Sequence, residues 1–113
     1  MENCLFCRII AGEIPSTKVY EDEKVFAFRD INPQAPTHVL VIPKQHIPSV
    51  GETDAADDAT LAACLRACAK VAQLEKLDNG FRVVSNCGDD ACQSVKHLHF
   101  HVLGGRKMTD GMA

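Results

Sequence analysis

Between residues 97 and 103 the chain reads HLHFHVL, three imidazoles alternating with apolar side chains. Successive side chains of a strand point to opposite faces, so His97, His99 and His101 share one face. Leu98, Phe100 and Val102 share the other and must pack on a core. The three rings then stand in a row roughly 13 Å long. One histidine on a strand is ordinary, half-exposed filler. Three in register, backed by three apolar residues, point to a metal site or to nucleophilic histidine chemistry.

The segment before this run, CGDDACQSV, is rich in small residues. Its main-chain N–H groups suit phosphate oxygens if the loop turns them inward. Gln93 and Ser94 stand at its end. His38, in THVLVIP, is a further imidazole in an expected strand.

The rest of the chain must supply the core. Its 113 residues make one domain, 1–113, and its 46% apolar content suffices for one core but not two. STKVYEDEKVFAFRDI reads as two strands around the acidic turn Glu21-Asp22-Glu23. THVLVIPK is a β-branched strand that Pro43 ends, FRVVSN another, and HLHFHVLGG the last. CLFCRIIAGEIP is a short helix stopped by Gly12 and Pro15. From about 57 to 77 the period changes. Leu61, Leu65, Cys68 and Ala72 lie three and four apart, Cys64, Val71 and Leu74 widen the stripe, and Leu77 prolongs it. About five strands with one long helix inserted late, and no βαβ alternation, predict an α+β fold on a mostly antiparallel five-stranded sheet.

Net charge is −3, with lysines and arginines scattered, which argues against polymeric nucleic acid but leaves room for a nucleotide-sized ligand. No apolar run reaches membrane-spanning length, so no membrane partner is expected. The opening MENCLFCRII lacks a basic start and a cleavage site, so a cytoplasmic protein is expected. Its six cysteines then read as thiols or metal ligands rather than disulfides. Cys4 and Cys7 have the spacing of half a zinc site, with His46 and His97 available to complete it; two buried thiols or a redox dithiol are the alternatives. Cys64 and Cys68, one helical turn apart, belong to the core. Cys87 and Cys92 flank the GDDA loop.

HLHFHVL fits in full the signature of the histidine-triad (HIT) family, in which three histidines alternate with apolar residues. QSVKHLHFHVLGGRKM, CLFCRIIAGEIPSTKVYED, AFRDINPQAPTHVLVIPKQHI and FRVVSNCG resemble its Hint branch, the nucleoside phosphoramidate hydrolases. The resemblance spans nearly the whole chain and implies a HIT-like fold whose sheet continues across a homodimer. It implies that His99 is the nucleophile, that His101 contacts the phosphoryl group and that His38 lies near the nucleophile. Gln93 and Ser94 would bind the α-phosphate and leaving group, with Asn86 at the preceding strand end. Asp30 would hold the ribose hydroxyls. The base pocket falls on Leu5, Phe6, Ile9, Phe28, Ile31 and Leu40. Many bacterial members carry a structural zinc, which the resemblance would place, one per chain, on Cys4, Cys7, His46 and His97, and it implies that no metal is required for the chemistry.

The implied reaction cleaves the P–N bond of nucleoside 5′-phosphoramidates such as AMP-amine conjugates through a nucleotidyl-histidine. It releases a purine nucleotide such as AMP or GMP. Ser94 or His38 would relay the proton to the leaving amine. Three readings compete: a dinucleoside polyphosphate hydrolase of the same family, a non-catalytic nucleotide-binding or scaffolding protein, and a zinc module in which His99 and His101 also ligate metal. Three positions depart from the family pattern. Cys92 stands where glycine is frequent, Arg29 replaces a histidine beside the ribose acid, and KMTDGMA replaces the Trp-Pro-Pro-Gly-like ending of animal members. Leaving-group choice is therefore the least transferable property.

Overall fold

β-branched and aromatic residues form strands where Gly, Pro and Asp punctuate them, and the computed structural model, which describes residues 3–113, follows that punctuation. The elements in order are α1 (Leu5–Ile10), β1 (Lys18–Glu21), β2 (Val25–Arg29), β3 (Thr37–Pro43), α2 (Asp58–Leu74), β4 (Phe81–Val84) and β5 (Phe100–Gly104). Strand order is β1-β2-β3-β5-β4 and every neighbouring pair is antiparallel, the expected five-stranded α+β arrangement. The β1–β2 turn closes on Asp22, whose carboxylate accepts the Lys24 and Val25 amides at 2.9 and 3.0 Å.

Strands β2 and β3 are buried on both faces. Val25, Ala27, Val39 and Val41 point towards α2 and pack with Cys64, Ala67, Cys68 and Val71. Phe26, Phe28, Leu40 and Ile42 point the other way and meet Phe6 and Ile9 of α1. Alternation along β5 obeys the same division, with Phe100 and Val102 on the α2 side.

Two expectations about elements need correction. The long helix stops at Leu74, and its buried stripe is Thr60, Cys64, Ala67, Cys68, Val71 and Ala72. Leu65 and Leu74, assigned to the core by periodicity, are 63% and 55% exposed. Small side chains face the sheet because they let the helix axis come close, and the stripe rotates accordingly. Leu77 joins the core from beyond the helix, its amide donating to Ala72 O at 2.9 Å. The last strand begins only at Phe100. Main-chain groups of residues 97–99 have other partners: Leu98 N–H donates to Ile47 O at 2.6 Å, and His99 O accepts the Ser85 hydroxyl at 2.8 Å. Cys64 and Cys68 are core, as expected, and burial pushes their thiols up to about 12 and about 11.

Candidate active site and metal centre

On the face away from α2, a cavity of about 310 Å³ opens between α1 and the sheet. Leu5, Phe6 and Ile9 of α1 form one wall, and Phe28, Leu40 and the largely exposed Ile31 form another. Asp30, Ser94, His99 and His101 supply its polar lining. A larger hollow of about 590 Å³, between the α2–β4 turn and residues 105–110, contains no histidine, so size alone does not locate the chemistry.

Main-chain groups assign the ring nitrogens. His99 Nδ1–H donates to His97 O at 2.7 Å, which leaves Nε2 with the free lone pair. Gln34 N–H donates to His38 Nδ1 at 3.0 Å, so the His38 proton is on Nε2, 2.8 Å from His101 Nδ1. His101 therefore carries its proton on Nε2, a buried atom with no partner among the described residues. An unpaired buried donor is costly, and this one belongs to a ring that lines the cavity. Burial first, then the neighbouring His99 and His38, hold the His101 ring down to about 4, so it is neutral near pH 7. Burial lowers His38 too, against the opposing pull of Asp30, whose carboxylate is 3.4 Å away.

Ten of the candidate residues border the cavity, whereas His38, Asn86 and Gln93 do not. His38 stands behind His101. Gln93 is turned into its own loop, where its amide donates to Pro48 O and Val95 O and its carbonyl accepts from Gly88 N–H. The loop's amides differ from expectation in the same way: Cys92 N–H bonds Asp89 O and Gln93 N–H bonds Gly88 O, so these brace the loop. Cys92 is exposed and does not line the cavity. Sequence reasoning missed Ile14, Pro15 and Val95 as lining residues. Ile14 and Val95 pack against the Phe6–Phe28 cluster, and apolar character beside the recognised motifs was the available signal.

Behind the cavity, one ligand atom each from Cys4, Cys7, His46 and His97 lies within 4.8 Å of all the others. His97 Nδ1 is 3.3 and 3.5 Å from the Cys4 and Cys7 sulfurs, and His46 Nδ1 is 3.3 Å from Cys7 Sγ. A tetrahedron with Zn–S of about 2.3 Å and Zn–N of about 2.0 Å has edges of about 3.3–3.8 Å, and these three separations match it. The ring of His97 donates through Nε2 to Pro43 O at 2.8 Å, which turns the Nδ1 lone pair towards the sulfurs. Burial, then Cys4, raises the Cys7 thiol to about 11; a thiolate here needs a cation beside it. No ligand atom of His99 or His101 belongs to this cluster.

Residues 11–108 match the family described as HIT domain. A 14 kDa zinc-binding protein of Zea mays is 52% identical over 106 residues, covering 92% of this chain and 83% of that protein. Purine nucleoside phosphoramidase of Escherichia coli (strain K12) is 44% identical over 108 residues, covering 95% and 91%. Among solved structures, a HIT family hydrolase from Clostridium thermocellum superposes with a TM-score of 0.96 at 47% identity, covering 100% of this chain and 99% of that one. One from Legionella pneumophila gives 0.91 at 51%, covering 95% and 96%. With the histidine run, the fold and the cavity in agreement, the chain belongs to the HIT family.

Proposed function

We propose that this chain is a nucleotide hydrolase that cleaves nucleoside 5′-phosphoramidates through a nucleotidyl intermediate on His99. The observation that carries the proposal is the 2.7 Å bond from His99 Nδ1–H to His97 O, which reserves Nε2 for attack beside an apolar cavity. The resemblance to an Escherichia coli purine nucleoside phosphoramidase favours the P–N bond over the polyphosphate linkage. A purine sits against Leu5, Phe6 and Ile9, with its ribose hydroxyls on Asp30. His99 Nε2 attacks phosphorus, forming an N–P bond as the P–N bond to the leaving amine breaks. His101 Nε2–H donates to the phosphoryl oxygens as charge builds on them. Ser94, on the cavity wall, passes its hydroxyl proton to the leaving amine, while His38 acts through His101 by fixing its tautomer. Water then breaks the N–P bond, returning one proton to Ser94, releasing the nucleoside monophosphate and restoring the ring.

Cys4, Cys7, His46 and His97 would hold a structural zinc, which would supply charge and cross-linking rather than a reaction step. Two chains pair along β4. The test is hydrolysis of AMP-morpholidate against a diadenosine polyphosphate at equal concentration, with rapid-quench detection of labelled protein. His99→Ala should lower turnover at least about a thousandfold while nucleotide still binds. Near wild-type hydrolysis by that variant sinks the assignment.

A further inference from the structure

We propose that His97 is a positioning residue for the nucleophile, and that occupancy of the Cys4–Cys7–His46–His97 centre reaches His99 through it. The inference rests on the assignment of His99 as nucleophile and adds how that ring is kept in its reactive form.

His97 is fully buried and is held on every side. Its ring Nδ1 faces the two sulfurs, its Nε2–H reaches Pro43 O at 2.8 Å, and its carbonyl accepts His99 Nδ1–H at 2.7 Å. The carbonyl of His97 and the amide of Leu98 belong to one planar peptide unit. That amide donates to Ile47 O at 2.6 Å, and Ile47 directly follows the ligand His46. A single rigid plane thus has the His46–Ile47 segment on one edge and the acceptor for His99 on the other. The ring of His97 and the ring of His46 are tied to each other only through the cluster and their edge-to-face contact, with centroids 4.9 Å apart. When an ion joins the four ligands, both supports of the plane are locked together. Without it the plane can tilt, the 2.7 Å bond lengthens, and the His99 proton is free to move to Nε2. In that tautomer the attacking lone pair is gone.

The centre has a second attachment. Cys7 lies on α1, a helix of six residues, too short to hold its shape alone. Phe6 beside it packs edge-on against His97 and His99, with centroids 5.9 and 5.1 Å away, and forms part of the nucleoside wall. Metal loss should therefore weaken substrate binding through α1 and slow chemistry through His97. A purely structural metal would affect only the first.

The experiment uses the full chain with ¹⁵N-labelled histidine rings, loaded with zinc and then stripped by a chelator. Long-range ¹H–¹⁵N correlations read the His99 tautomer, and amide spectra check that the sheet persists. With zinc, His99 should be a single Nδ1–H tautomer. Without it, the ring signals should move towards a mixture, and kcat on AMP-morpholidate should fall about tenfold or more while KM also rises. Unchanged His99 signals and kcat in a folded, metal-free chain, with only KM raised, overturn the proposal. If the stripped chain unfolds, exchange of zinc for the larger cadmium decides: the His99 Nδ1 signal should shift between the two metals, and identical signals overturn the proposal. A chain that shows the tautomer change but hydrolyses no phosphoramidate supports the coupling and refutes the reaction assigned above.

Discussion

At Gly104 an added Cβ would come within 2.8 Å of Leu77 Cδ1 and 3.3 Å of Leu77 Cγ. Leu77 caps the core just beyond α2, so its displacement is felt by the helix end and by β5 together. Gly104→Ala should cost about 1–3 kcal/mol in chemical denaturation, as overpacking does. A neutral result would show that Leu77 has room to yield. Cys92 presents the opposite case. Its φ is 61°, a left-handed conformation that opposes a Cβ, which accounts for the frequent glycine at this place in the resemblance. Cys92→Gly should raise stability by up to about 1 kcal/mol, because relief of strain exceeds the added freedom of the unfolded chain. A drop in Tm would mean that the exposed thiol makes an interaction worth keeping. At this scale the sequence identified the histidines but not their free nitrogens. Those are set by Pro43 O, His97 O and Gln34 N–H, main-chain groups that no residue type announces.

Among the elements, β2 and β3 were legible because their apolar residues run almost unbroken between Asp and Pro boundaries. The face of α2 was less so. The expected stripe held at Cys64, Cys68, Val71 and Ala72 but failed at Leu65 and Leu74, which are exposed, while Thr60 and Ala67 took inner positions, and close approach of helix to sheet favours small residues. The β3–β5 pair carries a consequence that depends on pH. It brings the neutral His38 and His101 rings together, 2.8 Å between Nε2 and Nδ1. Burial leads the causes that lower His101 from its ordinary 6.5 to about 4. As pH falls below about 6.5 the unfolded chain takes up a proton that the folded chain refuses until about 4. The contribution of the neutral ring to stability is thus complete above 6.5 and is lost on descending towards 4. Thermal melts from pH 8 to 4.5 should show falling Tm over that window, and His101→Asn should flatten the decline. An equally steep decline in the variant would assign the effect to other groups.

For the whole molecule, the site was more legible than the assembly. Histidine spacing, the C-x2-C pair and the apolar positions of α1 marked residues that the fold brings to one cavity and one cluster. His38, Asn86 and Gln93 stand back from the cavity, and Ile14, Pro15 and Val95, which no motif marked, help to line it. The homodimer rests on the resemblance, but one edge of the sheet is suited to it. α2 lies over β1, β2, β3 and β5, and the outer strand β4 is left with Phe81 44% and Val83 38% exposed. Val83 pairs with Val102, so it points to the α2 side, the face on which Leu65 and Leu74 of the helix also stand exposed. The other edge, β1, starts at Lys18 and ends at Glu21, charges that discourage edge-to-edge pairing; β4 has only Arg82. Pairing two β4 strands about a two-fold axis would extend the sheet and cover those apolar side chains. Sedimentation equilibrium should therefore give a dimer at micromolar concentration. Val83→Lys places a charge on that seam without entering the cavity, and it should yield a folded monomer. The monomer should still bind nucleotide, since each chain carries its own His99, His101 and Asp30. A monomeric wild-type chain would refute the assembly, and a Val83→Lys chain that stays dimeric would move the interface away from β4.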